Sequence, residues 1–249
     1  MKKQDKIDKI LSVASEPNGK TNHVLKNGGN VLTFSCPHIP FEHKRYLNFL
    51  QSVQEEHDCE TVVCLGDLFD NHAISYHEHD PDGHSAGKEF EIAVNRIKSW
   101  IYAFPNMYLC VGNHDMLPTR KAKTHGLPKI LLKTYNSIWM LPSTWVWSMS
   151  YVKNDVKYMH GTGKTGMYMH KHWATENMKS TVTGHGHSNS GTSFQASHDK
   201  LLFGLGVGCG IDIGSYSMQY GDNFSRRPIV GCGVVKENGT LPIFIPMKL

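Results

Sequence analysis

Long hydrophobic runs are missing from this sequence. No stretch approaches the ~18 consecutive apolar residues that a membrane-spanning helix needs. The charged N-terminal stretch Met1–Lys6 is not followed by the apolar segment of a secretory signal. We therefore expect no association with a membrane and a cytoplasmic location.

Paired cysteines are also missing. The six cysteines include no C-x-x-C pair, which excludes a zinc ribbon. Without an export signal, a reducing compartment is expected, so the thiols should be free. Cys64 and Cys110 lie inside apolar runs and are expected to be plain core residues.

An excess of charge of one sign is equally absent. The formal net charge is only +4 over 249 residues, which permits an anionic substrate without requiring nucleic acid. This length suits one domain with a large core. We predict a peripheral N-terminal segment over residues 1–30, with a short helix at Gln4–Ser15 and a loop at Pro17–Asn30, followed by a single domain over residues 31–249.

The first half of that domain alternates short apolar runs with amphipathic segments. Strands are predicted at Val31–Ser35, Glu60–Leu65 and Met107–Val111, and helical spacing occurs over Phe41–His57 and Gly87–Ala103. This order favours a parallel sheet covered by helices.

The second half is rich in strands. Asn238-Gly239 before Leu241–Ile245 predicts a hairpin. The other predicted extended segments are Thr144–Tyr151, Val156–Met159, Thr181–Thr183, Ser193–Ala196, Leu201–Val207 and Ile229–Val235. We therefore predict an α/β fold, a four-layer α-β-β-α sandwich of two packed mixed sheets flanked by helices.

Polar motifs follow several of these strands. They are Ser35–His38, Gly66–Asp70, Gly112–Asp115 and Gly184–His187, and His160 lies between the last two. Side chains that follow strands collect at the carboxyl end of an α/β sheet, where such folds place their sites. We expect the motifs to form one site.

The residue types favour a site for two divalent metal ions. Two ions about 3.5–4 Å apart bind a phosphate and activate a bridging water. Asp67 is the expected bridge between them, and Asn113 supplies an amide oxygen. The expected imidazole ligands are His38, His160, His185 and His187.

His114 adjoins a ligand without being needed as one. It is placed to protonate the leaving oxygen as a general acid. Asp70 is expected to orient that imidazole and support its charged form, and Asp115 to support the ligands from behind.

Together the motifs resemble those of the calcineurin-like metallophosphoesterases, which run D-x-H, G-D-x-x-D, G-N-H-[DE], H and G-H-x-H. The match keeps this order from Ser35 to His187. A looser similarity to phage-borne members covers Arg120–Lys123 and Gly206–Asp212 and implies no defined substrate. A phage-encoded chain would act in the host cytoplasm.

The resemblance implies how the ligands divide. One ion would take Cys36, His38, Asp67 and His187, and the other Asp67, Asn113, His160 and His185. Cys36 departs from the family, which has aspartate there, but is similar to the RNA lariat debranching enzymes, which carry cysteine. A thiolate favours zinc or iron over manganese. The alternative is that Cys36 does not bind metal, so the choice among manganese, zinc and iron stays open.

Other basic and aromatic features have a plain structural interpretation beside a functional one. Gly161–Gly166 matches G-x-G-x-x-G but has Tyr158 where a P-loop needs glycine, so it is predicted as a flexible loop, with a phosphate contact by Lys164 as the alternative. A solvated surface, with substrate contact as the alternative, is predicted for His72, His77, His79, His84, Arg120, Lys121 and Lys123. The five tryptophans are expected mainly in the core.

The expected activity is hydrolysis of a phosphate ester, by a phosphodiesterase or nuclease in the first instance. A phosphomonoesterase, including a protein phosphatase, is the alternative, but Asn71 stands where the Ser/Thr phosphatases of this superfamily have arginine. A non-catalytic scaffold is disfavoured because His114 and Asp70 are both present. The substrate remains open between nucleic acid, nucleotide and other phosphate esters, and no oligomeric state is predicted.

Overall fold

The computed structural model describes residues 22–76, 82–221 and 226–249. The predicted helix Gln4–Ser15 and the histidines His77 and His79 lie outside these ranges. Among the residues described, no helix has the length and apolar character needed to cross a membrane.

Strands and helices alternate in the first half of the chain, and strands predominate in the second half. The strands are β1 (Asn22–Val24), β2 (Asn30–Phe34), β3 (Cys59–Cys64), β4 (Met107–Cys110), β5 (Trp145–Ser148), β6 (Ser150–Lys153), β7 (Val156–Met159), β8 (Thr181–Thr183), β9 (Ser190–Ala196), β10 (Leu201–Val207), β11 (Gly231–Lys236) and β12 (Leu241–Pro246). The α-helices are α1 (Tyr46–Glu56), α2 (Ala86–Ala103), α3 (Leu117–Thr124), α4 (Tyr135–Trp139) and α5 (Met169–Asn177). Short 3-10 turns occur at His72–Ile74, Lys129–Leu131, Tyr216–Gly221 and Glu237–Gly239.

The strands form two six-stranded mixed sheets. The first sheet has the order β12-β11-β2-β3-β4-β5, with β2 to β5 parallel and the β11–β12 hairpin antiparallel. The second has the order β1-β6-β7-β8-β10-β9, with β7, β8 and β10 parallel. The predicted α/β fold of two mixed sheets flanked by helices is confirmed.

Alternation along the strands separates two apolar layers. Leu32 and Phe34 of β2 pack with residues of α1 and α2, such as Trp100, in one buried cluster. Their neighbour Val31 packs with Val63 and with residues of the second sheet in another. Because successive strand residues face opposite sides, the central strands carry buried apolar residues on both faces.

Most predicted elements are confirmed to within one or two residues, but the segment Thr144–Tyr151 is not one strand. It forms β5 in the first sheet and β6 in the second, with Met149 between them. The Ser148 hydroxyl donates to the Ser150 carbonyl over 3.0 Å, which stabilises the bend. The apolar alternation continues through the bend, so the sequence pattern does not reveal it.

Two further differences concern helix α1 and the N-terminal loop. Helical spacing predicted a start at Phe41, but α1 begins at Tyr46 because the Phe41 and His43 amides bond to carbonyls of His38 and Gly210 instead. Within the predicted loop 17–30, Asn22–Val24 forms β1 and pairs in parallel with β6.

Candidate metal centre

Five loops at the carboxyl ends of parallel strands meet between the two sheets. Ser35–His38, Gly66–Asp70 and Gly112–Asp115 follow β2, β3 and β4 of the first sheet. His160 and Gly184–His187 follow β7 and β8 of the second. Adjacent parallel strands end at the same edge of their sheet. The loops that leave these edges in the two sheets meet, so that His38 and His187, 149 positions apart, are in contact.

His38, His187 and Cys36 form the first group of potential ligands. The Nε2 atoms of the two histidines are 3.1 Å apart, and Cys36 Sγ lies within 4.8 Å of a nitrogen of each ring. The same sulfur is 4.0 Å from Asp67 Oδ2. Burial and the charge of Asp67 raise the pKa of the Cys36 thiol well above its usual value, so the free thiol is protonated.

His160, Asn113 and Asp67 form the second group. His160 Nδ1 donates to the Leu65 carbonyl over 2.9 Å, so Nε2 of the neutral ring carries a lone pair. That Nε2 lies 3.0 Å from both Asn113 Oδ1 and Asp67 Oδ2. Three electron-pair donors facing one another repel unless a cation, or a proton on Nε2, lies among them, so the set fits a divalent metal ion.

His185 completes the arrangement beside His160, with their ring centroids 5.0 Å apart. Burial, assisted by the charge of His160, lowers the pKa of His185 to about 4. Burial and the charge of His38 likewise lower the pKa of His187. Both rings are therefore neutral at pH 7, which is the form that binds metal.

Several of these residues adopt backbone conformations that non-glycine residues rarely occupy. Cys36, His38, Asp67 and His185 have φ values of 53°, 54°, 52° and 63°. The Cys36 and His38 amides bond to the Gly66 and Asp67 carbonyls, which fixes the first two loops against each other. Left-handed conformations of this kind cost about 1–3 kcal/mol each and cluster at functional sites.

Asp115 holds the loops from beneath. Its carboxylate accepts four backbone N–H groups, those of Asp67, Leu68, Phe69 and Gly112, over 2.8–3.3 Å. Burial and the charge of Asp67 raise its pKa to about 7, against the stabilising effect of these N–H donors. A side chain at Gly112 would place Cβ 2.2 Å from Asp67 Oδ1, so only glycine fits there.

His114 and Asp70 lie together next to Asp67. The His114 amide donates to Asp67 Oδ1 over 2.8 Å, and its ring Nδ1 is 3.0 Å from Asp70 Oδ1 and 2.7 Å from the Asp70 carbonyl. Burial alone lowers the pKa of His114, but the charges of Asp67 and Asp70 outweigh it and raise the pKa to about 10. The imidazolium is therefore the resting form of this ring.

Sequence reasoning missed a second role of Asp70. Its Oδ1 is also 2.7 Å from His38 Nδ1, which directs His38 Nε2 towards His187. It also missed Glu89, whose buried carboxylate accepts the His72 and Ala73 amides over 2.8 and 2.9 Å and holds the turn after Asp70. No motif marks either contact, because the partners are 16 or more residues apart.

A cavity of about 440 Å³ opens above the potential ligands. Asp67, Asn113, His185 and His187 form part of its wall, together with His114. The remaining wall combines cationic, polar and apolar residues and is lined by Lys164, Thr165, Gly166, Met169, Gly186, Ser188, Asn189, Ile213, Met218, Arg226, Arg227 and Pro228.

The other predicted surface residues divide between the cavity and its surroundings. Lys164 lines the cavity, but its Nζ is 2.5 Å from Glu176 Oε2. Arg120 and Lys121 lie over the Tyr76 ring and do not line the cavity.

The solvated surface predicted for the histidine-rich loop holds for His84 and is wrong for His72. His84 is exposed. His72 is buried, because its turn packs against α2 and its Nδ1 lies 4.0 Å from Asp70 Oδ2. Trp100, Trp139 and Trp145 are buried, as the sequence predicts.

Comparison with known proteins identifies a family match. A profile of the calcineurin-like phosphoesterases matches residues 29–208, which contain all five loops. A comparison with curated protein sequences finds no match.

Solved structures similar to this chain come from different organisms. Vacuolar protein sorting 29 from Cryptosporidium parvum is 14% identical over 84% of each chain, with a TM-score of 0.43. The phosphoesterase YfcE from E. coli is 11% identical over 87% of this chain and 99% of its own, with a TM-score of 0.41. A protein serine/threonine phosphatase from Saccharomyces cerevisiae is 13% identical over 99% of this chain and 90% of its own, with a TM-score of 0.43.

Proposed function

This chain belongs to the calcineurin-like phosphoesterase family, and from that premise we propose that it is a phosphodiesterase or nuclease that uses two divalent metal ions. The observation that carries the proposal is the contact of His114 with Asp67 in the wall of a cavity much larger than a phosphate group. A larger cavity leaves room for an organic group on both sides of the phosphorus.

The proposed ligands are those that the motifs imply. Cys36, His38, Asp67 and His187 hold one ion, and Asp67, Asn113, His160 and His185 hold the other. Two groups of potential ligand atoms support these sets, Cys36 with His38 and His187, and Cys36 with Asp67 and His160, since the atoms of each group lie within 4.8 Å of one another. The assignment of Cys36 to the first ion follows the family resemblance. Because Cys36 adds a soft sulfur to one set, zinc or iron is the proposed metal there.

When bound by these residues, the two ions would supply positive charge to the phosphate oxygens and lower the pKa of a water molecule. His114, held by Asp70, donates the proton that the leaving oxygen needs. The Asp70 carboxylate beside its ring raises the pKa of His114, which favours the protonated form that a general acid needs. Asp115 keeps the Asp67 and Gly112 backbones in register, so the acid stays aligned with the phosphate.

A diester is favoured over a phosphoprotein by the residue that follows Asp70. The Asn71 side-chain amide donates to the His114 carbonyl over 3.1 Å and lines a different cavity. It therefore does not place an arginine-like donor at the phosphate, which protein phosphatases of the superfamily use.

The proposed setting follows the same observations. Residues 31–249 act as a single catalytic domain, with residues 1–30 peripheral to it. All six cysteines are free and buried, which supports a reducing compartment and hence the cytoplasm, or the host cytoplasm for a phage-encoded chain.

Comparing two model substrates tests the proposal. Metal-free protein is loaded with manganese, zinc or ferrous iron, and turnover of bis-p-nitrophenyl phosphate is compared with that of p-nitrophenyl phosphate. The diester should be hydrolysed with the higher kcat/KM in at least one metal form. A higher kcat/KM for the monoester in every form would identify a phosphomonoesterase instead, and no turnover of either would contradict the proposed activity.

A further inference from the structure

Positive charge dominates the part of the cavity wall that is formed by neither His114 nor the proposed ligands. The charged lining residues there are Lys164, Arg226 and Arg227, and the carboxylate among the lining residues is that of Asp67. We propose that the Arg226–Arg227 wall binds a second phosphate of the substrate, so that the preferred substrate carries another phosphate beside the one that is cleaved. The inference rests on the proposed function, because it assumes that the cleaved phosphate binds beside Asp67.

Backbone hydrogen bonds tie the segment that carries the two arginines to the loop of a proposed ligand, His187. The Ile229 amide donates to the His187 carbonyl over 2.8 Å, and the Cys209 amide donates to the Ile229 carbonyl over 3.0 Å. Arg227 is two residues before this contact. The backbone that carries the arginines is therefore tied to the loop that carries His187, which suits a subsite with a defined spacing from the metal site.

Among the three cations, the arginines are better suited to bind the phosphate. Lys164 Nζ is 2.5 Å from Glu176 Oε2 and lies 4.8 Å from the centroid of the Trp173 ring, and Arg227 also has a partner within the protein, so the difference between these residues lies in the geometry of their donors. Arginine offers a planar set of donors that binds two phosphate oxygens at once. Lys164 adds to the positive field of the wall.

Apolar side chains also line the cavity. Met169, Ile213, Met218 and Pro228 present carbon surface beside the polar groups of Ser188 and Asn189. Such a surface fits the sugar or base that separates or carries two phosphates. The substrate class is therefore a nucleotide unit with two phosphates, supplied either by a nucleic acid strand or by a nucleoside polyphosphate.

The basic residues Arg120 and Lys121 do not contribute to the proposed phosphate subsite. Arg120 and Lys121 lie 5.1 and 4.0 Å from the centroid of the Tyr76 ring and are not among the lining residues. Electrostatic attraction to this part of the surface can bring a polyanion closer without fixing its register.

The test uses the variant Arg226→Ala/Arg227→Ala and a control with the same loss of charge, Lys88→Ala/Lys98→Ala, whose two lysines are exposed on α2. The substrates are thymidine p-nitrophenyl phosphate esters with and without a second phosphate on the same nucleoside. For the wild type and the control, kcat/KM should be higher on the doubly phosphorylated ester. In the arginine variant that ratio should fall by about 10-fold to 100-fold, the usual effect of losing hydrogen bonds to a charged group.

Binding to the metal-free protein provides a readout that does not need turnover. Fluorescence anisotropy gives Kd for a labelled ten-residue thymidine oligonucleotide and for a labelled ADP. A Kd raised about tenfold or more in the arginine variant alone supports the subsite, and the probe that is affected identifies the source of the second phosphate.

The outcomes separate the two proposals. If the wild type cleaves neither ester but the arginine variant loses binding, the proposed activity fails and the phosphate subsite stands. If the wild type cleaves both esters while the ratio and both Kd values are unchanged in the arginine variant, the subsite is refuted and the activity stands. If the lysine control lost as much of the kcat/KM ratio and of the affinity as the arginine variant, net charge alone would explain the effect, and the subsite would also be refuted.

Discussion

Asp115→Ala should lower the free energy of unfolding strongly. Its effect should exceed that of each other substitution proposed below at a residue that is not a proposed metal ligand. Asp115 is 2% exposed and its carboxylate accepts four backbone N–H groups from two loops. Alanine leaves all four donors without their partner.

The magnitude follows from the number of donors. A hydrogen bond contributes about 1 kcal/mol net, and a buried donor left without a partner costs about 1–3 kcal/mol. Water entering the space left by the carboxylate would satisfy some of the donors. We therefore expect a loss of about 4 kcal/mol in the free energy of unfolding, a large share of the roughly 5–15 kcal/mol typical of a folded protein.

Urea unfolding of the metal-free protein, followed by tryptophan fluorescence, measures this loss. The matched control is Asp199→Ala, which removes an exposed aspartate and should change stability by less than about 0.5 kcal/mol. If Asp115→Ala is as stable as the control, the carboxylate does not hold the loops as described.

Three further changes test other parts of the site. His114→Ala should retain bound metal and lose roughly 10²–10⁴-fold in turnover for want of a general acid; an unchanged rate on a substrate with a poor leaving group would contradict that role. Cys36→Asp should shift metal preference towards manganese and resist inactivation by peroxide, because a hard carboxylate replaces the sulfur; the same metal content and peroxide sensitivity as the parent would show that Cys36 is not a ligand. Gly112→Ala should cost about 1–3 kcal/mol of stability in urea unfolding, since Cβ would lie 2.2 Å from Asp67 Oδ1, whereas Gly87→Ala, which meets open space in a helix, should not destabilise; equal effects of the two would refute the steric argument.

The sequence predicts most of the fold because its strands have strong local signatures. The strands β2 and β3 each carry a short run of buried apolar residues, and Asn238-Gly239 marks the β11–β12 hairpin. The change of sheet at Met149 was not predictable, since apolar and polar residues alternate in the sequence through Trp147–Tyr151 without a break.

The candidate site, like the fold, was predictable from the sequence only in part. That the motifs lie together follows from a rule about where parallel strands end, so Asp67, Asn113 and His160 could be grouped from order alone. Their roles as ligands stay predictions. The partners that orient the site depend on contacts between distant residues, such as Asp70 with His38, and no local pattern encodes such contacts.

A metal titration tests the central proposal most directly. Metal-free protein receives increasing zinc, manganese or ferrous iron in separate series while hydrolysis of bis-p-nitrophenyl phosphate and bound metal are followed together. We expect activity to rise until two ions are bound per chain, and Asp67→Ala to bind neither tightly and to remain inactive. Full activity with one ion or none, or an active Asp67→Ala protein, would contradict a two-metal phosphodiesterase built on Asp67.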